Sequence, residues 1–323
     1  MSRFAAGLLA LLLALGSLAA AAEEWPSRIL RIVVPFGPGS TPDAAARLLT
    51  DRLEPRLGQR VIVENKAGAS GNLGTDAVAK AEPDGYTLGV SIVGPLVLNT
   101  LLFPSMPYDP ARDLLPISIL GGQPSVLVVN PDLPARNVAE LLALLRADPD
   151  RYTFASIGIG SLSHLAMEAI LMKSGVHVAH IPFSGSPAAV TALIRGDVQL
   201  SVLPAGGAMP LVEDGKLRAL AVTLPERSPL LPDLPTLRES GIEGVEADAW
   251  IGLVAPSRLP PAIAGRLGAA VREALAEPGM KEKLRIQFIE PRGGTPDEFR
   301  ATLRAELERW GPVIRRNGIR MGR

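Results

Sequence analysis

The chain has 323 residues, with 33 Lys+Arg against 33 Asp+Glu, three histidines and no cysteine. Balanced charge without a basic stripe argues against nucleic acid as a partner. The lack of cysteine excludes disulfides, thiolate metal ligation and a CxxC redox pair.

Residues 1–22 come first. Arg3, an apolar run from Leu8 and the small residues Ala20-Ala21-Ala22 form the pattern of a cleaved secretory signal peptide, with Glu23 as the first mature residue. The apolar run is shorter than the ~20 residues a spanning helix needs, and nothing past Ala22 is long and apolar enough either. Beyond it, β-branched runs alternate with helical patterns, which predicts an α/β fold. A strand is expected over 29–34, then a helix capped by Ser40 or Thr41, with Pro42 at its first position, Asp43 in its first turn and Gly58 at its end. Further on come a strand at 60–64, a loop at 67–74, a helix at 75–81 and a strand at 86–93.

Gly121-Gly122-Gln123-Pro124 reads as a boundary opening a second unit of similar layout. Its expected strands lie at 125–129, 152–156, 178–182, 198–203 and 217–223, and its helices include 138–146, capped by Asn137, and 188–195. A strand at 250–255 and helices at 261–276 and 296–310 then return to the first unit. The division is therefore 23–124 plus 246–323 for lobe one and 125–245 for lobe two.

Three strand-to-helix turns stand out: VVPFGPGSTPDAAARLL from Val33, FASIGIGSLSHLAMEAI from Phe154 and HIPFSGSPAAVTALI from His180. Such turns aim backbone N–H groups and the positive end of a helix dipole at one point, where a small anion is favoured. The first is no GxGxxG fingerprint, because Pro42 replaces the third glycine, and no GxxxxGK[ST] occurs, so nucleotides are disfavoured. Ser161 and His164 share a helix face, which raises a secreted serine hydrolase as the weaker alternative; no GxSxG elbow or orienting acid accompanies them. His164 reads as a packed or hydrogen-bonding residue behind its loop. His177 and His180, three apart in an extended segment, face opposite sides and cannot share a metal. Trp250 either lines a cleft or packs a hinge.

Together the motifs resemble the extracytoplasmic solute receptors of tripartite tricarboxylate transporters, the Bug or TctC receptors. The likeness runs through VPFGPGSTPDAAARLL, VIVENKAGASGNLGTDAVAKAEPDGYTL, FASIGIGSLSHLAMEAI, HIPFSGSPAAVTALIRGDVQL, RSPLLPDLPTLRESGI and WIGLVAPSRLP, in order. It implies a two-lobed, periplasmic-binding-protein-like fold (type II, Venus-flytrap) that closes on a small carboxylate in a cleft between lobes. It further implies a monomer in the periplasm that hands its solute to membrane permease subunits, without catalytic residues, metal or cofactor. A sensor subunit delivering the liganded lobe to a signalling protein is the alternative. Carried onto this chain, the ligand-binding positions are Phe36, Gly39, Ser40, Thr41 and Asp43 in lobe one. In lobe two they are Ser156, Gly158, Gly160, Ser161, His164, Phe183 and Ser184.

The chain departs from the family pattern at Ser40 (usually glycine), Phe183 (usually tyrosine), Gly94-Pro95-Leu96 and Val202-Leu203-Pro204, where polar residues are common. Losing polar partners around a cleft favours a carboxylate with an aliphatic or aromatic body over citrate or an amino acid.

Overall fold

The computed structural model describes residues 25–321, so the expected signal segment at 1–22 lies outside the described residues. Apart from exposed Arg31, strand β1 (Leu30–Val34) is apolar and buried, as a parallel strand covered by helices tends to be. Pro42 in the first turn gives up no useful donor, and α1 (Thr41–Leu57) ends where left-handed Gly58 returns its N–H to Glu54 O. β2 (Val61–Asn65), α2 (Asn72–Ala79) and β3 (Thr87–Ile92) follow, then a π-helical turn at Gly94–Leu98 and the short helices α3 (Asn99–Leu102) and α4 (Pro110–Asp113). The 16-residue strand β4 (Leu114–Val129) leads to α5 (Val138–Ala147), β5 (Thr153–Ser156), α6 (Leu162–Ser174) and β6 (Ala179–Pro182). Next come α7 (Ser186–Arg195), β7 (Leu200–Pro204), α8 (Ala205–Glu213) and β8 (Arg218–Val222). The chain returns through β9 (Asp248–Pro256), α9 (Pro261–Ala276), α10 (Pro278–Ile286), β10 (Glu290–Gly293) and α11 (Pro296–Arg316).

The strands line up as β2-β1-β3-β9-β4-β7-β5-β6, with β8 and β10 also paired to β4. β4 changes partners along its length. Its residues up to Pro124 lie antiparallel to β9, and from Ser125 onward it pairs with β7 and β8. The result is a two-lobed α/β fold whose halves share one continuous strand.

Gly121-Gly122-Gln123-Pro124 thus sits inside a strand, where a loop was expected. The two glycines serve close approach: a Cβ at Gly121 would fall 2.7 Å from Glu290 O, and one at Gly122 would fall 2.6 Å from Asp248 Oδ1. Three other readings needed revision. The helix expected at 75–81 starts at Asn72, and α10 and β10 gave no local signal strong enough to be anticipated.

Each lobe has its own core, with Leu30, Ile32, Leu49 and Val271 in one and Val126, Val128, Leu193 and Leu203 in the other. A third cluster joins them, running from Val97 and Leu102 through Trp250, Phe299 and Trp310 to Leu165 and Ile170. Helix α11 packs on β4, on the 94–98 turn and on α6, so it touches both lobes. Trp250 is 1% exposed and meets Phe299 edge-on at 5.3 Å. It packs the junction and does not line a cleft.

Candidate ligand-binding site

Strand register locates the turns. β3 and β9 pair antiparallel with Ile92 opposite Ile251, and Trp250 lies opposite Gly122 of β4. The C-terminal ends of β3 and of its parallel neighbours β1 and β2 therefore reach the lobe crossing from one side. From the other side, Pro204 at the end of β7 lies opposite Ser125, and β5 and β6 run in the same direction as β7. The turns after six parallel strands face the crossing at 122–125 from both lobes. Crevices outside the carboxyl ends of parallel strands are where α/β folds take up ligands.

In the first turn, Asp43 is 2% exposed and both its oxygens are occupied. Oδ2 accepts from Gly39 N–H at 2.9 Å and Arg47 Nε at 3.0 Å, and Oδ1 accepts from Asn65 Nδ2 at 2.9 Å. Asn65 also donates to Phe36 O at 2.9 Å, so the pair ties both ends of the turn to β2. Burial works to raise the Asp43 carboxyl, but the bonds from Arg47, Gly39 and Asn65 outweigh it and hold it below the ordinary carboxylate range. Gly39 takes φ +80°, the left-handed region that this turn requires and glycine tolerates.

The neighbouring 68–72 loop is locked in the same manner. Ala69 (φ 48°) and Ser70 (φ 55°) are left-handed without being glycine, at a cost of about 1 kcal/mol each. Asn99 Nδ2 holds Ser70 O at 3.0 Å and Asn72 Oδ1 at 2.6 Å, while Tyr108 OH lies 2.7 Å from Pro95 O and 3.0 Å from Asn72 Oδ1. Phe36 lies over this loop, its ring 3.0 Å from where a Gly71 Cβ would stand.

The second and third turns are joined. Phe183 N–H donates to Ser156 O at 3.0 Å, and Ser156 Oγ accepts from Gly158 N–H at 3.2 Å. Gly160 N–H donates to His164 Nδ1 at 3.1 Å, and His164 N–H donates to Ser161 Oγ at 3.3 Å. Ser161 thus caps α6 and is not aimed at the imidazole. A Cβ at Gly160 would lie 2.6 Å from Leu102 Cδ1 of the opposite lobe. His180, read from sequence only against His177, stacks on His164 at 3.9 Å and on Phe154 at 4.7 Å, and its Nε2 lies 2.7 Å from Ser156 Oγ.

The expected site residues sort into two layers. Asp43, Ser156, Gly160 and His164 are buried beneath the turns, whereas Phe36, Gly39, Ser40, Thr41, Gly158, Ser161, Phe183 and Ser184 reach the surface. The amides of Gly39, Gly158 and Gly160 are spent within their turns. The open donors are instead the first-turn amides that helix geometry leaves without a carbonyl. No side chain caps α1 at Ser40 or α8 at Pro204, and Ser40 Oγ is buried without a hydrogen-bond partner. Between these two helix starts sits Gln123, which sequence reasoning missed because it lay in an apparent linker. Thr41 Oγ1 lies 3.4 Å from its Oε1, its Nε2 donates to Gln287 O at 2.8 Å, and a Gly206 Cβ would stand 2.7 Å from that nitrogen. Leu73, in the first turn of α2, and Ile159, in the turn after β5, are exposed.

Known proteins share this fold. The model of the tripartite tricarboxylate transporter receptor family, TctC, matches residues 45–319. The chain belongs to that family. Protein BugT of Bordetella pertussis is 37% identical over 301 residues, covering 93% of this chain and 92% of BugT. The structure of R. palustris Rpa4515 with adipate superposes with a TM-score of 0.83 at 35% identity, covering 92% of this chain and 99% of that one. MatC from Rhodopseudomonas palustris with bound malate gives 0.78 at 32% identity, covering 90% and 100%.

Two of the TctC departures carry less than expected. Leu96, Val202 and Leu203 are core residues, so they do not line a cleft. Phe36, Leu73, Ile159 and Phe183, in or beside the turns, are the apolar side chains that reach the surface there. Two concavities on the outer β2 edge, one lined by Arg47, Glu54 and Ile286 and the other by Arg28, Asp84 and Tyr86, include none of the expected site residues. Among the described residues no helix is long and apolar enough to cross a membrane.

His180 gives this receptor a pH signature. Burial first, and a charge on His164 second, push the imidazole down to about 4 against a weaker pull from Glu168. Unfolded histidine titrates near 6.5, so between 6.5 and 4 the unfolded chain binds more protons and stability falls as pH falls. His180→Phe keeps the stack without the titration. Thermal melts from pH 7.5 to 4 are expected to show a shallower acid decline for that variant than for the wild type.

Proposed function

We propose that this protein is a periplasmic solute-binding receptor, exported through a cleaved signal peptide, that captures a small carboxylate with an apolar body. It delivers that solute as a monomer to the permease subunits of a tripartite tricarboxylate-type transporter, and it performs no chemistry on it. The observation that carries this reading is the register that turns six strand ends toward one crossing, with the uncapped starts of α1 and α8 on either side of Gln123. An anion between them would gain from two helix dipoles and unsatisfied amides at once. Adipate in Rpa4515 and malate in MatC support a carboxylate here.

The lobes divide, on this reading, at 124/125 and 245/246, and closure occurs by bending at β4 and β9. Phe36, Gly39, Ser40, Thr41, Gly158, Ser161, Phe183 and Ser184 face the solute. Asp43, Ser156, Gly160 and His164 hold those residues in place. Leu73 and Ile159 with the two phenylalanines select the apolar body.

Native mass spectrometry of protein purified without refolding, followed by thermal-shift screening of mono- and dicarboxylates, tests the assignment. Adipate-like or aromatic acids are expected to raise the melting temperature more than citrate or aspartate. Stabilisation by citrate or aspartate alone would overturn the apolar-body assignment.

A further inference from the structure

His164 and His180 are 16 residues apart in sequence and on different elements, yet they form one object. Their rings are 15° from parallel with centroids 3.9 Å apart, and the Phe154 ring lies 4.7 Å from His180 and 6.1 Å from His164. Each imidazole holds a different part of the second turn. His164 Nδ1 accepts from Gly160 N–H, which fixes its proton on Nε2, directed at Glu168 Oε1 3.5 Å away. Ser156 Oγ donates to Gly158 O at 3.1 Å, so His180 Nε2 is the donor in the 2.7 Å bond to Ser156.

We propose that the stacked pair is a proton-sensitive positioning device for the ligand-binding turn: with both rings neutral it holds residues 156–161 in the binding geometry, and a proton on His164 releases that turn and lowers affinity for the solute. The logic is donor against donor. A proton on Nδ1 would point N–H at the N–H of Gly160, and the two cannot bond. Gly160 cannot follow by a small adjustment, because it is held left-handed at φ +71° and packed against Leu102 and Met321. Glu168 is the charged group that faces the pair among the described residues, and it stabilises the imidazolium once formed. His180, pressed face to face, opposes a second charge. His164 and His180 are positioning residues that act through Gly160 and Ser156. The solute-facing role of the turn rests on the function proposed above; the coupling of ring to turn does not.

Two substitutions separate positioning from bulk stability. Asn at 164 places an amide oxygen near the Nδ1 position and does not titrate, whereas Leu removes the acceptor. With adipate as probe, calorimetric affinities at pH 7.5, 6.0, 5.0 and 4.5 are compared as wild type against variant, which cancels the titration of adipate itself. The ratio of His164→Asn affinity to wild-type affinity is expected to rise by about tenfold between pH 7.5 and pH 4.5. His164→Leu is expected to be about tenfold weaker at neutral pH. A wild-type to His164→Asn ratio constant across pH would overturn the proposal while leaving the receptor assignment intact. If adipate binds at no pH, NMR of the free protein still decides. The Gly160 amide is expected to shift between pH 7.5 and 4.5 in the wild type and to stay still in His164→Asn, and a wild-type Gly160 amide that does not move over that range would refute the coupling.

Discussion

Asp43→Ala is expected to weaken solute binding by tenfold or more and to destabilise the protein by about 2–3 kcal/mol. The carboxylate is the common acceptor for Gly39 N–H, Arg47 and Asn65, and its loss leaves the Gly39 amide and the Asn65 amide without partners under a buried turn. Ser40 and Thr41, which follow that turn, then lose their orientation at the start of α1. Asp43→Asn keeps one acceptor and should fall between the two. The pH dependence has a definite sign. A carboxyl held below its unfolded value contributes stability above the ordinary carboxylate range and loses it as pH falls through the folded value. Wild type should therefore lose stability at acid pH more steeply than Asp43→Ala. Equal affinity for both proteins would place the first turn outside the binding site.

Arg292→Met is the second large effect, and it acts at the crossing of the lobes. Asp248 opens β9 and pairs with Arg292 of β10, next to a chain of charges linking Glu246, Arg309 and Glu306. Burial pushes the Asp248 carboxyl up, the arginine pulls it down, and nearby Glu290 adds to the upward push. Without Arg292 the carboxylate stays buried with only the weaker pull of Arg309 to offset it. A stability loss of about 2–3 kcal/mol is expected at pH 7, below the figure for fully buried pairs because Arg292 keeps 36% of its side-chain exposure. The loss should shrink on acidification, since a carboxyl with a raised folded value is stabilised below its unfolded value and penalised as pH rises. A deficit independent of pH would show that Asp248 is not the group responding.

The three glycine turns were legible because Gly, Pro and Ser mark backbone geometry locally, and each does join a strand to a helix. Their supports were not. Asn65 holds Phe36 and Asp43 from 29 and 22 residues away, and Gln123 reaches Gln287 across 164. Register alone creates such partners, and no local pattern encodes it. The same reason explains the misread boundary: two glycines and a proline usually punctuate, but here they let β10 and the Asp248–Arg292 pair press against a continuous strand. Where the glycine amides go was not legible either. A turn fixed firmly enough to place an anion must satisfy most of its own donors first, so the open amides are those of the helices beyond it.

Titration calorimetry of mono- and dicarboxylates, each paired with its neutral carboxamide, tests the central claim that helix starts from both lobes grip an anion. At least one acid should bind with its amide weaker by about a hundredfold, two decades at 1.4 kcal/mol each. Amides that bind as tightly as their acids, or a protein indifferent to every acid offered, would contradict it.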